Sequence, residues 1–223
     1  MIDGISPKQF HESEGAGDWR VLGGDGATAY FRTGSLAAGA LLVQAISELP
    51  GVEDLRPDVD VRQNGVTVRM ITFTADYAGM TRRHVDLARQ ISAAARTLGL
   101  AADPSAVQTM SVIPGATSRA KVMPFWRAVL GYEPRIDSPE EDLVDPLGRG
   151  VPFWFEQMDE PRLDGGGAIH IVIWVPYEQA EARIAAALAA GGRMVRDNYA
   201  PSWWTLADAA GNEVDIATTT GRD

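Results

Sequence analysis

The chain has no cysteine in its 223 residues. That removes disulfides, thiolate metal sites and cysteine nucleophiles together. Cations are outnumbered: 20 Lys and Arg stand against 30 Asp and Glu, a formal charge of −10. A nucleic-acid groove or an anionic membrane surface needs clustered cations, so neither partner is expected. Long apolar runs are missing too. The stretch IHIVIWV (169–175) is far shorter than the ~20 residues of a membrane helix. The opening MIDGISPKQF lacks a basic region followed by an apolar one, so no secretory signal is expected and the location expected is cytoplasmic. What remains is an ordinary globular composition, 45% hydrophobic and 22% charged. The length suits one large domain or two small ones.

The segment Leu98–Pro104 (LGLAADP) follows a long helical pattern and ends in Asp-Pro, which disfavours helix. A division there gives domains at 1–102 and 103–223, carrying net charges of −2 and −8. In the first, 27–32 is strand-like and 34–49 places Leu36, Leu42 and Ile46 near one helical face. Val59–Gln63 and Val66–Thr74 alternate in period two about Asn64-Gly65, a strong hairpin signal. Thr81 reads as the N-cap of a helix reaching Leu98, with Val85, Ala88, Ile91 and Ala95 inward. The fold class expected is α+β, with an antiparallel sheet under helices on one face.

The second domain contains a weak internal repeat. One unit opens with the strand 107–113, passes through a helix ending AVLGYEPRI, and closes with VPFWFEQM. The other opens with 168–175, passes through EQAEARIAAALAAGGRMV, and closes with GNEVDIAT. From Gln108 to Gly131 is 23 residues and from His170 to Gly191 is 21; from Gln108 to Glu156 is 48 and from His170 to Asp215 is 45. Self-similarity at such a period is a fold-level signal. Gly165-Gly166-Gly167 makes a natural joint. On strands of period two, Trp154, Glu156 and Met158 share a face, as do His170, Val172 and Trp174. A carboxylate among apolar neighbours calls for compensation, by a metal or by an arginine such as Arg127 or Arg149. Gln108 and His170 also have plain interior readings, as satisfied core side chains.

In QTM, PFWRAVLGY, IHIVIWV and DAAGNEVDI the second domain, over roughly 105–218, resembles the vicinal-oxygen-chelate superfamily, the glyoxalase-like fold of paired βαβββ modules. The resemblance implies a cup whose opening and closing strands supply metal ligands, here Gln108, Glu156, His170 and Asp215. Donors of these types suit Zn, Ni, Fe or Mn. The function it implies is a metal-dependent lyase or isomerase acting on a small oxygenated substrate. Glu156 or Asp215 would be the catalytic base, and Trp154, Trp174, Phe125 and Trp204 would line the substrate pocket. The alternative is a metal-free protein of the same fold that captures a small molecule.

The first domain, over roughly 5–98, resembles the pterin-4a-carbinolamine dehydratases in GDW, LAAGALLVQAISEL and RPDVDVRQNGVTVRMIT…AGMTRRHVDLA. That family carries His-His-Pro and Thr-His, whereas this chain reads Leu55-Arg56-Pro57 and Thr72-Phe73. Neither Leu55 nor Phe73 titrates, and Arg56 cannot act as a base. A working 4a-hydroxytetrahydrobiopterin dehydratase is therefore a minor alternative. The module is expected to pack, dimerise or shape a neighbouring site. Both resemblances imply a homodimer.

Overall fold

In the computed structural model, residues 3–159, 169–207 and 213–222 are described, without the side chains of Phe125, Val129 and His170. The Gly165–Gly167 joint and the AAGN turn therefore lie outside the described residues. The first half runs β1 (Gly4–Ile5), α1 (Pro7–His11), β2 (Arg20–Leu22), β3 (Gly26–Arg32), α2 (Leu36–Ser47), α3 (Val52–Leu55), β4 (Asp58–Arg62), β5 (Gly65–Met70), β6 (Thr72–Thr74), β7 (Tyr77–Thr81), α4 (Arg82–Thr97) and β8 (Ala101–Ala102). The second runs β9 (Thr109–Ala116), α5 (Arg119–Leu130), β10 (Glu133–Pro134), β11 (Asp142–Val144), β12 (Phe153–Trp154), β13 (Glu156–Gln157), β14 (Ile169–Trp174), α6 (Tyr177–Ala189), β15 (Arg193–Arg196), β16 (Trp203–Ala207) and β17 (Glu213–Ala217).

Among the described residues, every strand pairing stays within one half. β2-β3-β5-β4 form an antiparallel sheet that β8 joins at β3, and β1-β7-β6 form a smaller one. One core fills this half: Leu42 and Ile46 from α2 and Val85, Leu87, Ala88, Ile91 and Ala95 from α4 meet Phe31, Val66 and Val68 from the sheet. The hairpin over Asn64-Gly65 forms in the register the alternation implies, with Val61 opposite Val66. The long strand expected over 66–74 breaks at Ile71. Met70 pairs with Ala27 at the start of β3, and beyond it β5 has no partner there, so the chain continues into β6 and pairs with β7.

The second half holds a nine-stranded sheet in the order β10-β11-β12-β9-β14-β17-β16-β15, with β13 also on β9. Its centre shows the repeat. The opening strands β9 and β14 lie antiparallel to each other, and each is flanked by the closing strand of its own unit, parallel to it. The closing strand of the first unit is interrupted at Phe155, whose N–H donates to the Glu141 carbonyl instead. Among the described residues no helix is long and apolar enough to cross a membrane.

Candidate functional site

Strand register sorts the nine-stranded sheet into two faces, because paired residues share a face and neighbours alternate. The helix face is fixed by packing. Met123, Val122 and Trp126 of α5 lie on Val112, Phe153 and Phe155, while Ala180 and Ile184 of α6 lie on Ile173, Leu206, Val214 and Ile216. The far face carries the alternate residues. There Ile113, Val172 and Ala217 are buried together, with Trp174 and Trp203 packed against them. Trp154, next to helix-facing Phe153, is also a far-face residue and is 43% exposed.

The four expected ligand positions do not form a ring. Glu156 pairs with Gly115 and Asp215 with Val172, so both are far-face residues. His170 holds the backbone position opposite Ile113 on the same ladder, and its side chain lies outside the described residues. Gln108 immediately precedes Thr109, which pairs with far-face Trp174, so Gln108 falls to the helix side. There its Oε1 accepts a hydrogen bond from Arg183 Nη1 of α6 at 3.2 Å. The expectation that Gln108 joins the set is one place out of register, and one place exchanges faces. The other three climb diagonally. Measured along β9, Glu156 is level with Gly115, His170 with Ile113 and Asp215 with Ser111. Glu156 and Asp215 are thus ~13 Å apart along the strands and ~14 Å apart across them. Glu156 is exposed, and among the described residues neither Arg127 nor Arg149 pairs with it. Asp215 accepts from Thr205 Oγ1 at 2.6 Å. Among the described residues no group of three His, Asp or Glu side chains is arranged to hold a metal ion. The four donors, taken as one set, do not fit a single cation.

The far face offers aromatic surface instead. The Arg222 guanidinium lies 4.7 Å from the Trp174 ring centre and 5.2 Å from that of Trp203. Tyr199 stacks on Trp203 with ring centres 4.2 Å apart. Burial lowers the pKa of Arg222 and the Asp215 charge opposes the shift; the group remains cationic. Trp204, expected in the pocket, instead packs in the α6 core, and its neighbour Trp203 takes the far-face place. Arg222 was not legible in the sequence, since only the folded chain lays it over Trp174. The Phe125 side chain lies outside the described residues.

Leu55, Arg56 and Phe73, the positions where the sequence reading looks for a dehydratase motif, make packing and surface contacts. Leu55 belongs to the core of the first half. Arg56 donates from Nε to the Glu53 carbonyl at 3.3 Å. Phe73 lies under the Arg135 guanidinium of the second half, 5.2 Å from the ring centre. Arg135 is held there by Asp137 at 2.7 Å and Asp142 at 2.9 Å. Further contacts bind the halves. Arg20 Nε donates to Glu178 at 2.6 Å, and Thr219 Oγ1 to the Val21 carbonyl at 3.3 Å. Gly23 lies so close to Trp174 that a Cβ there would enter the indole ring.

No curated protein matches the chain in sequence. Among solved structures it is similar to an NAD-dependent benzaldehyde dehydrogenase from Legionella pneumophila, at 15% identity over 49% of this chain and 97% of that one, with a TM-score of 0.36. It is also similar to a glyoxalase/bleomycin resistance protein/dioxygenase superfamily member from Vibrio splendidus 12B01, at 16% identity over 50% of this chain and 99% of that one, with a TM-score of 0.33. An integron cassette protein from the mobile metagenome of the Halifax Harbour sewage outfall is similar at 15% identity over 49% and 97%, with a TM-score of 0.23. Residues 110–217, most of the second half, match the family model described as a glyoxalase-like domain.

Proposed function

We propose that the glyoxalase-like half captures a small molecule against the far face of its sheet and needs no bound metal to do so. The observation that carries this reading is the clustering of Trp174, Trp203 and Arg222 over a buried apolar patch of Ile113, Val172 and Ala217. Aromatic surface with one or two placed polar groups is the usual make-up of a ligand site. Tryptophan emission of chelator-treated protein tests it against a panel of small aromatic and oxygenated compounds. Saturable quenching that survives His170→Ala is expected. No ligand in the panel, or binding that appears only after Zn, Ni or Mn is added, would defeat the reading.

A metal-dependent lyase or isomerase is the second reading, favoured by the shared face of Glu156, Asp215 and the His170 position. Glu156 and Asp215 lie too far apart to ligate one ion together, so an ion would be held by one of them and not by the whole set. A divalent ion would polarise a carbonyl or hold an enediolate, and Glu156 or Asp215 would move the proton. Elemental analysis decides: stoichiometric metal that falls in Glu156→Gln would support it, and its absence removes it.

Dehydration of a pterin carbinolamine finds no titrating group at Leu55, Arg56 or Phe73. The buried imidazole of His84 is committed to capping α4 and has a pKa lowered to about 4, mainly by desolvation. A direct dehydratase assay is expected to show no turnover above background.

A further inference from the structure

A cavity of about 530 Å³ lies between the two halves. The first half contributes Val21, Leu22, Gly23, Gly24, Gly26, Ile71 and Ala78; the second contributes Trp174, Thr219 and Arg222. We propose that this crevice binds an apolar monocarboxylate, its apolar body against Ile5, Val21, Ile71 and Met80 and its carboxylate paired with Arg222. The inference rests on the small-molecule reading above and adds the first half as the opposing wall.

Three observations select the ligand class. First, Arg222 is the one charged side chain among the lining residues, so the site matches one anionic group. A polyphosphate would leave further charges unpaired against apolar wall. Second, the guanidinium is already held over Trp174 and Trp203 and stays open to solvent on its outer side. A preplaced guanidinium offers a carboxylate a bidentate pair at low ordering cost. Asp215 is its neighbouring counter-charge, and that carboxylate is also engaged by Thr205. Third, most of the remaining lining is apolar: Ile5, Val21, Leu22, Ile71 and Met80, with the hydroxyls of Tyr77 and Thr219 already donating to the Met80 and Val21 carbonyls.

The test is calorimetric titration of the whole chain with 2-naphthoate and with the neutral analogue 2-naphthalenemethanol. Saturable binding of the acid is expected, at least about tenfold tighter than the alcohol, as one charge-assisted pair provides. Arg222→Gln should remove that preference. Ala78→Trp fills the crevice from the first half and should abolish binding with the melting temperature unchanged. Trp154→Ala, on the far face outside the crevice lining, should leave affinity intact. Two results would overturn the inference: no saturable heat from either compound, or acid binding that survives Ala78→Trp. If binding survives Ala78→Trp but is lost in Trp154→Ala, the ligand sits on the sheet alone, and the small-molecule reading stands without this crevice.

Discussion

Trp203 and Trp204 are adjacent in the chain and lie on opposite faces of β16. Trp204 is part of the core under α6, and Trp203 stacks with Tyr199 and meets Arg222. Truncating them should therefore separate stability from binding. Trp204→Ala is expected to cost about 2–3 kcal/mol in urea unfolding through the cavity it leaves. Trp203→Ala should cost less and weaken ligand binding more. The opposite pattern would mean that the faces are misassigned. Strand alternation lets only one of the pair face the pocket, and the sequence reading chooses Trp204. The register of β16 on β17, which puts Trp203 opposite Ala217, is a tertiary pairing that composition does not encode. Gln108 failed for the same reason: a strand boundary displaced by one residue moved it to the α6 side, where Arg183 meets it.

His84 is the titrating group with the sharpest consequence at this scale. It is fully buried, and its Nδ1 accepts from the Thr81 N–H at 3.0 Å, so the proton is on Nε2, which faces Thr72 Oγ1 at 3.3 Å. Its pKa falls from 6.5 to about 4, so the folded protein favours the neutral ring. The stability this carries is complete above pH 6.5 and is lost as the pH falls toward 4, where the unfolded chain takes up the proton first. Between pH 7.5 and 4.5 the loss should be roughly 2–3 kcal/mol. His84→Gln should flatten that part of the pH–stability curve; an unchanged slope would show that the imidazole is not the group responsible.

At the scale of elements, the sequence was most legible where a local signal coincided with a hydrophobic period. α4 begins after Thr81 and buries Val85, Ala88, Ile91 and Ala95 as its 3.6-residue pattern requires. The paired glycines of the repeat also mark real helix ends. Gly131 caps α5 with φ of 68° and Gly191 follows α6 with φ of 96°, both in the left-handed region that side chains resist. Gly131→Ala and Gly191→Ala should each lower stability by about 1 kcal/mol in denaturant melts. A neutral result at either would contradict the shared role. The broken closing strand was less legible. VPFWFEQM reads as one strand, yet Phe155 turns its N–H to Glu141, a long-range bond that no local pattern announces.

Across the whole molecule, the charge balance and the Asp-Pro break lead the sequence reading to expect a division near residue 102, but they give no sign of how the halves join. Arg135 over Phe73, Arg20 on Glu178 and Gly23 against Trp174 each link residues far apart in the chain. Phe73, on β6 of the first half, is a contact surface for the second half. Gly23→Val should push Trp174 aside, loosen the seam and lower the melting temperature by several degrees. An unchanged melt would show that the two halves do not bear on each other there. Leu36 and Leu41, each 55% exposed on α2, leave apolar surface on the first half, and the homodimer expected from the sequence is open to a direct check. Light scattering at micromolar concentration should return twice the 24.0 kDa chain mass.

The most direct test is diffraction from crystals grown with both 2-naphthoate and Zn, collected at the zinc edge. The account predicts density for the acid in the crevice with its carboxylate on Arg222, and no anomalous peak at Glu156, His170 or Asp215. A strong peak at any of those residues, with the crevice vacant, would contradict it.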